Sequence, residues 1–346
     1  MLKVKPIDEE TINGWQISES GLTARAVNAC TAAGITTIGM LRRYNNNDLG
    51  KIKRMGNQSV QAIRSFLQTC NEIQAGNMSF NNLQALFTFF LSRSQYDTLN
   101  LRYRLHAKGR NNKTLEEIGR KYAVTRERVR QVEGKARKIL SSQLAQACLS
   151  GIYELYEDAV GNNNLIATDE TISNLPAHPL IAGYNTANLL HLLSDCSPRI
   201  TFHNSCYSLI APERIKEVEN KALGLLNSAK VPVLFDFIFN SLSADLPHGM
   251  ATLHQNILVY ILRHNEKILS TIDDRYMAGN TGIASFIGEI LQKLAQPLHF
   301  RLIMHEFNKL VQPHSRKGSG FILDILCSNP QFHKVSCGNY ELAIRT

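Results

Sequence analysis

The sequence predicts a mainly α-helical, multidomain protein, and three observations lead to this fold class. The chain has 346 residues, which exceeds one ordinary hydrophobic core and indicates roughly two to five compact units. Its hydrophobic content of 44% is normal for a folded globular protein. Apolar residues recur at helical spacing through the first 150 residues, whereas short β-like stretches follow helices in the remainder.

Charge is distributed unevenly along the chain. Of the formal net charge of +9, residues 1–150 contribute +12 and the remaining residues contribute −3. A surface that binds nucleic acid needs such a basic excess. We therefore expect the nucleic-acid-binding surface within residues 1–150. The seven cysteines never form a CxxC pair. The sequence therefore predicts reduced, buried thiols and no metal site.

Residues 114–140 have the pattern of two short helices joined by a tight turn. Thr114 and Glu117 have the spacing of a capping box, and Thr125 can cap the second helix after a turn at Ala123-Val124. In the second helix, the predicted inward stripe is Val129, Val132, Ala136 and Ile139, and two outward i,i+4 pairs are formed by Arg126, Glu127, Arg130 and Gln131.

The outward residues can read the edges of DNA bases. Arginine can donate two bonds to guanine, glutamine can pair with adenine, and glutamate can accept from the cytosine amine. Such residues belong at the start of a recognition helix in the major groove. Lys135, Arg137 and Lys138 suit phosphate oxygens. The alternative is a solvated helix with surface salt bridges.

This segment resembles the helix-turn-helix of region 4 in housekeeping sigma factors of bacterial RNA polymerase, which reads the upstream promoter hexamer. TLEEIG, VTRERVRQVE and KARKIL match without a gap, and the similarity extends upstream through LSRSQYDTLNLRYRL at residues 91–105. The resemblance implies base contacts by Arg126, Glu127, Arg130 and Gln131, and phosphate contacts by Thr114, Thr125, Arg128, Lys135 and Lys138.

Residues 18–75 are predicted to form a small all-helical domain. A helix that follows Ser18 and Glu19 buries Leu22, Ala26 and Ala29 and stops at Gly34. Helices are also predicted at 37–44, at 49–53 after the polar run NNND, and through Val60, Ile63 and Leu67. Gly56 lies between two helices, as in helix-hairpin-helix units that hold a phosphate.

The pieces LTARAVNAC, AGITTIGML and MGNQSVQAI resemble the C-terminal domain of the RNA polymerase alpha subunit. The resemblance implies that Arg25 enters the minor groove and that Asn28, Gly56 and Ser59 contact phosphates. Asn57 and Gln58 stand where the family usually has lysines, which weakens the expected phosphate affinity. The alternative is that this unit only packs against protein.

The remainder of the chain contains an internal repeat. Tyr207, Tyr276 and Tyr340 align at intervals of 69 and 64 residues, each after a helix and β-like stretches. This layout resembles a winged helix. The predicted segments are an N-terminal segment 1–17, domains 18–75 and 78–150, and winged-helix-like domains 151–222, 223–280 and 281–346. The alternative for the tail is one larger α+β domain.

The repeats carry few basic residues on their recognition-like helices, which favours protein docking for the first two copies. In the third copy, Arg316 and Lys317 are the best candidates for phosphate contact. Neither an HExxH motif, a nucleophile elbow nor a phosphate-cradling loop occurs in the sequence. We therefore expect no enzyme activity and no cofactor.

The sequence predicts a cytoplasmic bacterial protein without a membrane partner, because it has neither a signal core nor an apolar run of membrane length. The predicted function is sequence-specific regulation of transcription, with double-stranded promoter-like DNA and RNA polymerase as partners. The alternative is a DNA-targeting or adaptor subunit of a mobile-element or defence system, whose winged-helix tail binds an effector protein.

Overall fold

The computed structural model is mainly α-helical, which confirms the predicted fold class. The structure describes residues 1–107, 112–163, 165–203, 206–243 and 251–343. These residues form eighteen α-helices and four small sheets, one with two strands and three with three strands. The chain divides into two compact units. Unit 1 contains residues 1–163 and 167–209, and unit 2 contains residues 164–166 and 210–346.

The N-terminal part of unit 1 is a cluster of short helices whose starts are set by capping side chains. The Thr23 hydroxyl accepts from the Ala26 amide, so the second helix begins there rather than at Ser18-Glu19, where a separate 3₁₀ turn forms. The side chain of Asn45 accepts two amides and starts the fourth helix inside the polar run. The elements are β1 (Leu2–Lys3), α1 (Glu9–Gly14), α2 (Ala24–Ala32), α3 (Ile38–Leu41), α4 (Asn46–Lys51), α5 (Asn57–Gln74) and β2 (Ser79–Phe80).

Four helices follow, and two of them begin with complete capping boxes. In the first, Ser92 and Gln95 exchange side-chain and backbone bonds, and in the second Thr114 and Glu117 do so, as predicted. The elements are α6 (Leu83–Phe90), α7 (Arg93–Tyr103), α8 (Leu115–Tyr122) and α9 (Arg126–Leu140).

The rest of the chain repeats one order of elements three times: a long helix, a strand, two helices and two strands. In each of these sheets the last strand lies in the centre. It pairs antiparallel with both others in the second and third repeats, and antiparallel with the preceding strand in the first. The aligned tyrosines all lie in this central strand. The first repeat contains α10 (Gln143–Gly161), β3 (Ile166–Thr168), α11 (Asp169–Ser173), α12 (Thr186–Ser194), β4 (Thr201–His203) and β5 (Cys206–Ser208).

The second and third repeats belong to unit 2. The second contains α13 (Pro212–Ala229), β6 (Val233–Leu234), α14 (Phe235–Ser243), α15 (Ala251–His264), β7 (Ile268–Ser270) and β8 (Arg275–Ala278). The third contains α16 (Gly279–Leu294), β9 (Leu298–His299), α17 (Phe300–Leu310), α18 (Ser319–Ser328), β10 (Phe332–Ser336) and β11 (Asn339–Leu342).

The predicted limits at 150/151, 222/223 and 280/281 fall inside α10, α13 and α16. Each observed repeat instead begins with its long helix. The assignment of the repeats as winged-helix-like domains stays a prediction.

Buried apolar residues form a continuous core through unit 1, from Leu2 to Tyr207. This core joins the N-terminal helices, the helices α6, α7, α9 and α10, and the first repeat. A second core, from Leu269 to Tyr340, lies in unit 2. The segment 91–141 is therefore not an isolated domain, because its helices share one core with the first repeat.

Five cysteines are buried, as expected, but Cys327 and Cys337 are exposed, so the expectation of buried thiols is wrong for these two. Burial raises the pKa of the Cys70 thiol to about 12, which keeps this thiol protonated and inert. Among the described residues, no helix combines the length and the apolar content needed to cross a membrane.

Candidate nucleic-acid interface

The turn between α8 and α9 is built from local features that the sequence predicts. Ala123 adopts a left-handed conformation with φ of 53° and ends α8, and the Thr125 hydroxyl accepts from the Arg128 amide to cap α9. Gly119 allows the turn to pack closely, since a Cβ atom there would lie 2.7 Å from the Val124 carbonyl oxygen. The sequence indicates this contact only through a glycine inside a helix, a position where glycine normally lowers helix stability.

Helix α9 buries a stripe that differs by part of a turn from the predicted one. Val129 and Ala136 are buried as predicted, but Val132 and Ile139 are only half-buried. Glu133 and Leu140 take the core positions instead, with 6% and 0% exposure. The predicted stripe contained apolar residues alone, whereas Glu133 can be buried because the guanidiniums of Arg102 and Arg137 lie beside it.

The four predicted base-reading residues are all exposed on the side of α9 away from the core. These residues are Arg126, Glu127, Arg130 and Gln131. Three of them, Glu127, Arg130 and Gln131, are joined by side-chain hydrogen bonds. The Arg130 Nε and Nη2 atoms donate to the two Glu127 carboxylate oxygens, both at 2.8 Å, and Gln131 donates to Glu127 at 3.3 Å. The pairing of Glu127 with Gln131 is the i,i+4 contact expected from the sequence.

The Glu127 carboxylate remains ionised at any physiological pH. Its bonds from Arg130 and Gln131 lower its pKa to about 2. A lowered pKa in the folded state means that this interaction is present above the ordinary pKa of a glutamate and is lost only as the pH falls through about 2. Glu127 therefore holds the Arg130 fork in one orientation, which favours bidentate recognition of a base.

The phosphate candidates differ in how freely they can donate. Arg128, Lys135 and Lys138 are exposed, and the described residues form no ion pair with them. The Thr125 hydroxyl accepts a bond and keeps its own proton for donation. In contrast, the amide and hydroxyl of Thr114 both donate to Glu117, at 2.7 and 3.0 Å. Thr114 would have to break its capping box to donate to a phosphate.

Arg137 does not face solvent like its neighbours Lys135 and Lys138. Its side chain is 40% exposed and lies 3.8 Å from Glu133 and 3.7 Å from Asp195. The sequence grouped Arg137 with the phosphate-binding lysines, but the structure engages it in ion pairs within unit 1.

A second group of candidates lies at the start of α5. Gly56 is the N-cap of this helix, and a Cβ atom there would lie 3.9 Å from the Arg25 guanidinium. The Arg25 Nε atom donates to the Arg54 carbonyl at 3.4 Å, which directs the side chain over the helix start. Arg25 and Asn28 are exposed, whereas Ser59 is only 6% exposed. The structure thus brings three of the four predicted residues to the surface, and Ser59 belongs to the core.

The sequence analysis missed the residues that hold the buried side of α9. Glu133 lies 3.7 Å from Arg102 on α7, in addition to its contact with Arg137. Asp195 accepts a hydrogen bond of 2.5 Å from the Tyr103 hydroxyl. The only available signal for Glu133 was an acidic residue within a basic helix, and Glu127 on the same helix carries the same signal. Within the described residues, no cluster of three or more side chains suits a metal ion.

Two family models match the chain, in the order that the sequence predicts. The model for the C-terminal domain of the bacterial RNA polymerase alpha chain matches residues 5–69, and the model for sigma-70 region 4 matches residues 91–141. Both resemblances are confirmed. Neither a curated protein nor a solved structure matches the chain significantly. The two matches indicate a DNA-binding, transcription-related protein.

Proposed function

We propose that this chain is a sequence-specific transcription regulator that reads promoter-like DNA through α9 and contacts RNA polymerase. One observation carries the proposal: Arg126, Glu127, Arg130 and Gln131 project to solvent from one side of a helix whose other side is buried. These residue types recognise base edges in the major groove. The exposed cations that follow them, Lys135 and Lys138, suit the adjacent phosphates.

A minor-groove contact by Arg25 adds to this mode of binding. The exposed guanidinium lies over the start of α5, where backbone amides and the helix dipole favour a phosphate. An arginine in a narrow minor groove recognises shape rather than a base pattern. Arg25, Asn28 and Gly56 would therefore strengthen binding without defining the full site.

The repeats of the tail are proposed to be winged-helix-like domains. Their shared order of elements and the central position of each last strand support this assignment. Net charges differ among them, with −5 for residues 143–211, −1 for 212–278 and +3 for 279–346. We assign protein contacts to the second repeat. To the third repeat we assign contacts with DNA phosphates, through Arg316 and Lys317, which precede α18.

An observation in unit 2 favours the alternative role as a DNA-targeting adaptor. Leu234 and Phe237, at the junction of β6 and α14, are 56% and 51% exposed. Large exposed apolar side chains close in sequence are typical of protein-binding sites. Binding of an effector protein to this surface would favour the adaptor role. Nuclease or ATPase genes beside the gene for this chain would favour the same role.

Selection of duplexes from a random DNA pool by the full-length protein tests the proposal. We expect one enriched motif, a footprint on it, and loss of the motif in the Arg130→Ala variant. Lys216→Ala is the matched control, because it removes an exposed cation from α13, far from α9 in the sequence. Capture of purified RNA polymerase by the same protein tests the second partner. Binding of all duplexes with equal affinity would overturn the proposed base recognition, and failure to capture polymerase would favour the adaptor.

A further inference from the structure

We propose that the first repeat positions the helix-turn-helix instead of binding DNA itself, with Asp195 and Asn188 as the positioning residues. The proposal rests on the proposed function for its DNA readout, since it concerns how α9 is presented to DNA. It assigns a role to a segment that lies outside both family matches, which end at residues 69 and 141.

The helix of the first repeat that corresponds to a recognition helix is buried. In α12, Leu189, Leu190, Leu192 and Leu193 are all 0% exposed, and Asn188 is 3% exposed. The helix packs against α7 of the helix-turn-helix segment, within unit 1. A helix covered in this way cannot enter a DNA groove.

The start of α12 is hydrogen-bonded to the segment that directly follows α7. The Asn188 side-chain amide donates to the carbonyls of Arg104 and Ala107, at 3.1 and 3.0 Å. The Asn185 amide donates to the Leu105 carbonyl at 2.6 Å. These acceptors belong to the C-cap of α7 and to the residues after it, and buried carbonyls without a partner destabilise a fold. The first repeat therefore determines how the chain leaves α7 on its way to α8.

The end of α12 holds α9 through charge. Asp195, the C-cap of α12, accepts from the Tyr103 hydroxyl at 2.5 Å and lies 3.7 Å from the Arg137 guanidinium on α9. Arg137 also lies 3.8 Å from Glu133, which lies 3.7 Å from Arg102 on α7. Two carboxylates and two guanidiniums thus connect α7, α9 and α12. Burial, together with the bond to Asp195, raises the pKa of Tyr103, so its hydroxyl stays a donor.

These contacts bear on base recognition because they determine the rotation of α9 about its axis. The apolar side of α9 is narrow, with Val129, Ala136 and Leu140 buried around the polar Glu133. Apolar packing tolerates small rotations, whereas the attraction of Glu133 and Arg137 to their partners at 3.7–3.8 Å weakens as soon as α9 turns away from them. Binding residues need placement within about 0.5 Å and 10–20° to act. On α9, Glu133 follows Arg126 by seven residues and Arg137 follows Arg130 by seven, so this network holds the same side of the helix about two turns beyond the base-reading residues.

The charge of the first repeat excludes an independent phosphate-binding role. Residues 143–211 contain six acidic residues and one basic residue, Arg199. The Arg199 guanidinium donates two bonds of 2.7 Å to Glu157. Phosphate binding requires free cations, and the described residues of this repeat offer none.

The test uses full-length Asp195→Asn, with Asp158→Asn as the control that removes one exposed carboxylate from the same repeat. We expect the affinity ratio between the selected site and a scrambled duplex to fall about tenfold in Asp195→Asn. The ratio should stay within about twofold in the control. A residue that merely supports the fold would lower the affinities for both duplexes together. An unchanged ratio in folded Asp195→Asn would overturn the proposal.

Amide hydrogen exchange separates this proposal from the proposed function, because it needs no DNA. In Asp195→Asn, protection of the α9 amides should fall about tenfold while that of α5 stays unchanged. Unchanged α9 protection would overturn the proposal even if the wild type selects a motif. Conversely, if the α9 amides lose protection in Asp195→Asn but the wild-type protein selects no DNA motif, only the proposed DNA recognition by α9 is wrong. If Asp195→Asn does not fold, Tyr103→Phe removes one hydroxyl from the same network and should lower α9 protection in the same direction.

Discussion

Helices α9 and α12 both follow a shorter helix in the chain, yet they expose opposite chemistry. Helix α9 carries six basic residues, most of them facing solvent, whereas α12 (TANLLHLLS) carries no formal charge and buries four leucines. Both belong to unit 1 and pack against α7. The position of a helix within a helical motif therefore does not determine its role. The side chains that remain outside the core decide whether the helix can meet DNA.

The largest expected effect is on the stability of the buried helix. Leu190→Ala removes a fully buried side chain and should lower the free energy of unfolding by about 2–5 kcal/mol. Met40→Ala, at a side chain that is 40% exposed, should change it by less than about 0.5 kcal/mol. Denaturant titration of both variants measures the difference. Equal effects would mean that α12 is not packed as described.

In α9, by contrast, substitutions should affect binding and not stability. Arg126→Ala and Gln131→Ala should each weaken binding to the selected site by about 1–3 kcal/mol and relax the base preference. Their unfolding midpoints should stay at the wild-type value, because both side chains are exposed. Footprinting and titration measure the change. Full affinity and an unchanged footprint in Arg126→Ala would mean that α9 does not read bases.

A subtler change separates orientation from charge within α9. Glu127→Gln removes the carboxylate that fixes the Arg130 fork, so the preference for the selected site should fall. Affinity for scrambled duplexes should rise about two- to fivefold, because one negative charge near the phosphates is gone. Competition binding with the two duplexes measures both effects. A fall in both affinities would instead point to damage to the helix.

The smallest expected effect concerns Lys138, which we propose to contact a phosphate and no base. Lys138→Ala should weaken binding to all duplexes alike and reduce the slope of log affinity against log salt by about 1. The site preference should remain that of the wild type. Titrations at several salt concentrations with the selected and scrambled duplexes test this expectation. A loss confined to the selected site would assign Lys138 to base reading.

Features that depend on neighbours in the sequence could be predicted. The capping box of Thr114 and Glu117, the cap at Thr125 and the stop at Gly34 each involve residues only a few positions apart. The same holds for the exposure of Arg126 and Gln131, since helical periodicity separates the two sides of α9. The repeat was visible because its tyrosines recur at intervals of 69 and 64 residues.

The tertiary structure decided what depends on distant partners. Burial of Glu133 needs Arg102 from another helix, and the bond from Tyr103 to Asp195 joins residues 92 positions apart. The burial of Ser59 follows from the structure that surrounds it and not from its own residue type. Local sequence determined where helices begin and which residue types can face DNA, because capping and periodicity act over a few residues. The folded chain decided which helix is covered and how α9 is held, because burial and ion pairing depend on side chains that only folding brings together.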